Sequence, residues 1–130
     1  MGIKFLWDTN TVIYFLQQQF PANAESFVDE IVRDYKVIIS SITEIELYSW
    51  KAASEDDMKV IHAFIDHSTV IELERDIKIK TAEIRKKHNL KLPDAIIAAT
   101  AMAYDLTLVT RNTKDFANID GLELRNPFER

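Results

Sequence analysis

Apolar positions recur along the chain in two rhythms. Short apolar runs of strand length, bounded by polar or turn residues, occupy Ile3 to Trp7, Val37 to Ser40, Thr69 to Leu73, Leu106 to Thr110 and Leu122 to Leu124. Between them the spacing is helical. Thr11 to Gln17 follows the cap-type residues Asp8-Thr9-Asn10, and Ala22 to Asp34 follows Pro21 with Phe27, Ile31 and Val32 at helical spacing. Ile42 to Trp50 and Asp56 to Asp66 form a helical pair after the second strand. Asp76 to His88 is amphipathic and ends in Arg85-Lys86-Lys87-His88, as the helix dipole favours. Pro93 is a good first helical position, and Ala95 to Tyr104 behind it is apolar nearly all round, which predicts a buried helix lying close against a sheet. Asn112 to Phe116 reads as a turn or short helix.

Strands that alternate with helices predict a parallel sheet of about four to five strands with both faces covered. In such sheets ligands bind beyond the carboxyl ends of the strands. Asp8 sits at one such end, and Asn112 and Asp115 lie just past another. With no repeat, linker or low-complexity stretch, one domain spanning residues 1–130 is expected.

Composition narrows the chemistry. The 130 residues are 47% hydrophobic, enough for a real core, and contain no Cys, which excludes disulfides, thiolate zinc sites and a cysteine nucleophile. No apolar stretch approaches the ~20 residues of a membrane span, so no membrane role and a cytoplasmic location are expected. The formal net charge of −5 argues at first sight against a polyanionic partner. Setting aside four particular acids leaves the remainder near neutral, and divalent cations bound to those acids would make their site attractive to phosphate.

The four are Asp8 in FLWDTN, Glu46 in SSITEIEL, Asp94 in KLPDAIIAATA and Asp115 in TRNTKDF, each beside a strongly apolar element. Taken singly they have ordinary explanations. Asp8 reads as an N-cap, Asp94 as a first-turn acid favoured by the helix dipole, and Asp115 as a solvated loop residue. Glu44 and Glu46 lie about 200° apart on a helical wheel, and only Glu46 falls in the apolar sector between Ile42 and Trp50. A carboxylate there is costly to desolvate unless it is paired, hydrogen-bonded or bound to a cation. Four mutually repelling acids make joint sense when a cation gathers them, and hard carboxylate oxygens suit magnesium or manganese. The chemistry is then metal-assisted phosphodiester hydrolysis by an activated water, with Asp8, Glu46, Asp94 and Asp115 as both metal ligands and catalytic groups.

Around these acids, Thr9, Thr110 and Asn112 are placed to orient a water or ligand, although turn and capping chemistry explains them almost as well. Basic residues cluster in sequence about the last two acids: Arg85, Lys86, Lys87 and Lys91 lead into Asp94, and Arg111 and Lys114 bracket Asp115. His62, His67 and His88 lack metal-ligand spacing, which speaks against zinc. Trp7 and Trp50 read as internal rather than as base-stacking residues.

On Asp8-Thr9-Asn10, Ser41-Ile42-Thr43 with Glu46-Leu47, Leu92-Pro93-Asp94-Ala95 with Ile97-Ala98-Ala99, Thr110-Arg111-Asn112, Asp115-Phe116 and the tail Asn126-Pro127-Phe128, the chain resembles the PIN domain family, most closely the VapC toxins of VapBC toxin–antitoxin systems. The likeness covers essentially the whole chain. It implies a PIN-like, Rossmann-like three-layer α/β/α fold, a Mg2+- or Mn2+-dependent endoribonuclease acting on RNA, a homodimer, and inhibition by a cognate VapB-like antitoxin. It selects Glu46 over Glu44, as the wheel does. Trp7 is bulkier than the small or aliphatic residue expected before the first acid. Within the family the alternatives are an RNA-processing nuclease outside a toxin–antitoxin pair and a non-catalytic scaffold that binds RNA or protein. A haloacid-dehalogenase-type phosphatase would carry a second Asp two positions after the first, where this chain has Asn10.

Overall fold

A computed structural model describes residues 4–129. Five short parallel strands, β1 (Phe5–Trp7), β2 (Ile38–Ser40), β3 (Thr69–Ile71), β4 (Thr107–Val109) and β5 (Leu124–Arg125), form one sheet in the order β3-β2-β1-β4-β5. Leu6 pairs with Ile38 on one side and Leu108 on the other, so β1 is central. From β1 the chain builds outward through β2 and β3, then returns to add β4 and β5 on the opposite side. The strand order therefore reverses between β1 and β4, and at such a switch point the connections diverge and leave a crevice beyond the strand ends.

Seven helices connect and cover the strands: α1 (Thr9–Leu16), α2 (Ala22–Asp34), α3 (Ser41–Tyr48), α4 (Glu55–Asp66), α5 (Arg75–Lys87), α6 (Leu92–Ala103) and α7 (Thr113–Phe116). Because successive strand residues point to opposite faces, the sheet feeds two cores. Leu6, Ile38 and Leu108 pack with Ile77, Ile84, Ala95, Ala98, Ala99 and Phe116 of α5, α6 and α7. Trp7, Ile39 and Val109 pack on the other face with Val12, Val28, Ile31, Ile61 and Ile65 of α1, α2 and α4. This is the expected three-layer α/β/α arrangement. In α6, Ala95, Ala98, Ala99 and Ala101 are all fully buried, which lets that helix lie close to the sheet and to α5.

Most element boundaries follow the hydrophobic pattern, and α2 spans the predicted Ala22 to Asp34. The departures are physical. Helix α1 starts at Thr9, two residues earlier than the apolar periodicity, because Asp8 alone caps it. Helix α6 starts at Leu92, so Pro93 stands one position inside the end. The last strand is Leu124–Arg125, shifted from Leu122 to Leu124 to stay in register with Leu108 and Val109. Ile3, predicted to open the first strand, lies outside the described residues.

Candidate active site

Asp8 follows β1 directly and is only 8% exposed. Its Oδ1 accepts the Thr11 backbone N–H at 2.8 Å, capping α1, and its Oδ2 accepts the Thr110 hydroxyl at 2.5 Å across 102 residues of sequence. The capping reading of Asp8 is thus correct and incomplete, because the second oxygen ties it to the end of β4. Burial raises the pKa of this carboxyl above the ordinary Asp range, and the bonds from Thr11 and Thr110 partly oppose the rise. Thr110 is itself fully buried and also accepts the Asn112 backbone N–H at 3.0 Å.

Glu46 comes to the same end of the sheet on α3, whose N-cap Ser40 is the last residue of β2 and accepts the Thr43 N–H. The Thr9 hydroxyl donates to Glu46 Oε1 at 2.6 Å and lies 3.1 Å from the fully buried Thr43 hydroxyl. Glu44 turns away and accepts from Tyr48 Oη at 2.9 Å on the outer side of the helix, as the wheel predicts. Asp115, exposed in α7, accepts from Asn112 Nδ2 at 2.9 Å. Asp94, in the first turn of α6, is half-buried.

The electrostatics of Asp94 bring the four together. Its carboxyl is pushed above the ordinary range first by burial, then by the negative charges of Glu46, Asp8 and Asp115, with Lys91 opposing. Asp8, Glu46 and Asp115 thus each lie near enough to Asp94 for their charge to be felt there. Three carry an orienting donor, Thr110 on Asp8, Thr9 on Glu46 and Asn112 on Asp115, whereas Asp94 has no side-chain hydrogen-bond partner among the described residues. A set of hard oxygens, with one acid destabilised by three like charges, fits a divalent cation as the group that relieves the repulsion. Among the described residues, no three of these acids are drawn around one point in ligand geometry.

The family model for the PIN domain matches residues 5–122. The chain belongs to the PIN domain family. The tRNA(fMet)-specific endonuclease VapC of Salmonella typhimurium is 30% identical over 132 residues, covering 95% of this chain and 98% of that protein. A toxin–antitoxin complex from Klebsiella pneumoniae superposes with a TM-score of 0.78 at 32% identity, covering 98% of this chain and 100% of the other. The DNA-bound VapBC of Salmonella typhimurium gives 0.81 at 27% identity, covering 97% and 99%. Within the PIN family this chain thus groups with the VapC ribonucleases.

Other expectations resolve unevenly. Lys91 acts on Asp94, and Arg111 lines a pocket with Asp8, but Lys87 lines a different cleft with Lys80, Met102 and Asn118. His62 and His67 are exposed and His88 is half-buried. Trp7 is fully buried against Phe15 and Phe64, with its indole N–H lacking a partner among the described residues, whereas Trp50 is only partly covered. The bulk of Trp7 is absorbed in the core on the face carrying α1, α2 and α4. The roles of Thr11, Ser40 and Thr43 go unread in the sequence, although each is a hydroxyl residue at the start of a helix that enters the site. No helix among the described residues is long and apolar enough to cross a membrane.

Proposed function

We propose that this chain is a divalent-metal-dependent endoribonuclease, the toxin of a type II toxin–antitoxin pair, acting as a single PIN domain in the cytoplasm. The observation that supports the reading is that Glu46, Asp8 and Asp115, from three different elements, lie near enough to the half-buried Asp94 for their negative charges to raise its pKa. Asp8, Glu46, Asp94 and Asp115 would hold Mg2+ or Mn2+. Such an ion, when bound, acidifies a water and offsets the charge that develops on the phosphate.

The chain's own groups prepare that site. Thr110 and the Thr11 N–H fix both oxygens of Asp8, Thr9 fixes Glu46, and Asn112 fixes Asp115. Such outer contacts orient ligands before the ion arrives, and their loss typically lowers metal affinity about 10–100-fold. Arg111 stands exposed beside Asp8 to meet the RNA phosphates. A VapB-like antitoxin is the proposed inhibitor, since solved relatives are toxin–antitoxin complexes, and a cleft lined by Phe15, Leu16, Phe20 and Val28 together with Gln18, Glu25 and Asp29 offers a docking surface. A homodimer is supported by apolar side chains left open on three helices, Ile45 at 57%, Ile79 at 52% and Leu92 at 50% exposure.

Cleavage of total RNA and of a tRNA pool by the purified protein, with Mn2+, Mg2+ or EDTA and with Asp94→Asn as control, tests the reading. Metal-dependent products absent from both controls are expected. Thermal unfolding in Mn2+ supplies an independent readout, with stabilisation of about 2.7 kcal/mol at a hundredfold excess over Kd. No cleavage together with no shift at millimolar Mn2+ would leave only a non-catalytic scaffold.

A further inference from the structure

Beside Asp8 a cavity of about 250 Å3 is lined by Asp8, Asn10, Tyr14, Arg111 and Asn112. It joins one cation, two amides and a phenol to the edge of an otherwise acidic cluster. The Arg111 guanidinium is held there. Its Cζ lies 4.4 Å over the ring of Phe128, and that ring packs against Tyr14 at 5.5 Å and Phe20 at 5.2 Å. The tail bearing Phe128 is anchored twice. Thr110 N–H donates to Arg125 O at 3.0 Å, and Phe128 N–H donates to Asn126 Oδ1 at 2.9 Å in an Asx turn. These tail residues lie beyond the stretch matched by the PIN family model.

A free arginine side chain carries substantial rotamer entropy, much of which a binding partner would otherwise have to overcome. Resting the guanidinium on an aromatic face restricts it in advance while leaving its edge N–H groups free for a bidentate anion. We propose that this cavity seats the nucleotide adjoining the cleaved bond, with Arg111 gripping its phosphate and Phe128 as the positioning residue that keeps Arg111 aimed. The proposal rests on the endoribonuclease reading above and adds a subsite to it.

Steady-state cleavage of a short single-stranded RNA over a range of salt concentrations tests it. Arg111→Gln is expected to raise KM about tenfold or more, the loss of a charged hydrogen-bonded contact, and to flatten the slope of log affinity against log salt by about 0.7, one phosphate contact on a single strand. Phe128→Leu, which keeps apolar packing but loses the ring face, is expected to raise KM about two- to fivefold. Phe128→Tyr restores it. Both Phe128 variants keep the Mn2+-induced thermal shift, which a general loss of fold or of the metal site would remove. An Arg111→Gln enzyme with the wild-type salt slope, or Phe128→Leu and Phe128→Tyr enzymes with the same KM, would overturn the subsite while leaving the nuclease intact. A wild-type protein that cuts no RNA would overturn both.

Discussion

Thr110→Val isolates the contact that joins the two halves of the site. Valine keeps the β-branched shape of a side chain that is fully buried and removes only the hydroxyl that donates to Asp8 Oδ2 at 2.5 Å and accepts the Asn112 N–H at 3.0 Å. Asn112 is exposed, so water replaces the partner of its N–H. Asp8 is only 8% exposed, and a hydrogen bond to a charged group contributes about 1.5–3 kcal/mol. For 130 residues, an unfolding entropy of about 2.1 cal/mol/K per residue converts each kcal/mol into about 4 °C. The variant is therefore expected to melt about 6–11 °C below the wild type near neutral pH in EDTA.

The pH dependence distinguishes this cause from a packing defect. The Thr110 bond favours ionised Asp8, so its loss raises further a pKa that burial already holds above the ordinary Asp range. The difference between the two proteins is then fully present above the folded-state pKa of Asp8 and narrows to that of a neutral bond as pH falls through it, where both carry a neutral acid. Melting by circular dichroism across an acidic-to-neutral pH series, repeated in an Asp8→Asn background, is the assay. In that background the Thr110→Val penalty should shrink to that of a neutral bond, under about 1.5 kcal/mol. A deficit that stays constant with pH and unchanged beside Asp8→Asn would refute the assignment.

Asp94→Asn should separate stability from activity. It removes a carboxylate disfavoured by burial and by three like charges, so in EDTA near neutral pH it should melt above the wild type, while cleavage falls more than about 100-fold, beyond the usual loss of an outer contact; a lower melting temperature would contradict the electrostatic argument. The same raised pKa sets a pH trend in the wild type without metal. The folded state holds the Asp94 proton more tightly than the unfolded chain, so this group's contribution to stability grows as pH falls through its folded-state pKa and is lost as pH rises through it. With Mn2+ present, protons compete for Asp94, and the metal-induced shift should fade at a higher pH than an ordinary carboxylate would give; a fade only in the normal Asp range would count against it. Glu46→Gln should lose the Mn2+ shift and cleavage, whereas Glu44→Gln, which only alters a bond to Tyr48 on the outer side of α3, should cut RNA within about twofold of wild type, an exposed-contact effect.

The primary sequence alone carried the local structure and the roster of acids. Short apolar runs and helical spacing placed the strands and six of the helices within a few residues, with Asn112 to Phe116 left as a turn or short helix, because a strand buried on both faces needs a continuous apolar run and a helix stripe needs apolar residues at helical intervals. It also separated Glu46 from Glu44, since 3.6 residues per turn puts them on opposite sides of α3. Each acid nevertheless looked ordinary in isolation, because a cap, a first-turn Asp and a loop Asp are good local chemistry in their own right.

Only the tertiary structure decided which partners these acids take. The order β3-β2-β1-β4-β5 sets the end of β1 beside the end of β4, so that Thr110 reaches Asp8 across 102 residues and Thr9 reaches Glu46 across 37. Nothing in the spacing of these residues encodes that adjacency, because strand order follows from how the two apolar faces pack against the helices. The same holds for the tail. Phe128 becomes a platform for Arg111 only because β5 pairs with β4 and delivers the chain end back to α1. The residue types were legible from local chemistry, and the contacts that tie Thr110 to Asp8 and Thr9 to Glu46 were set by long-range packing.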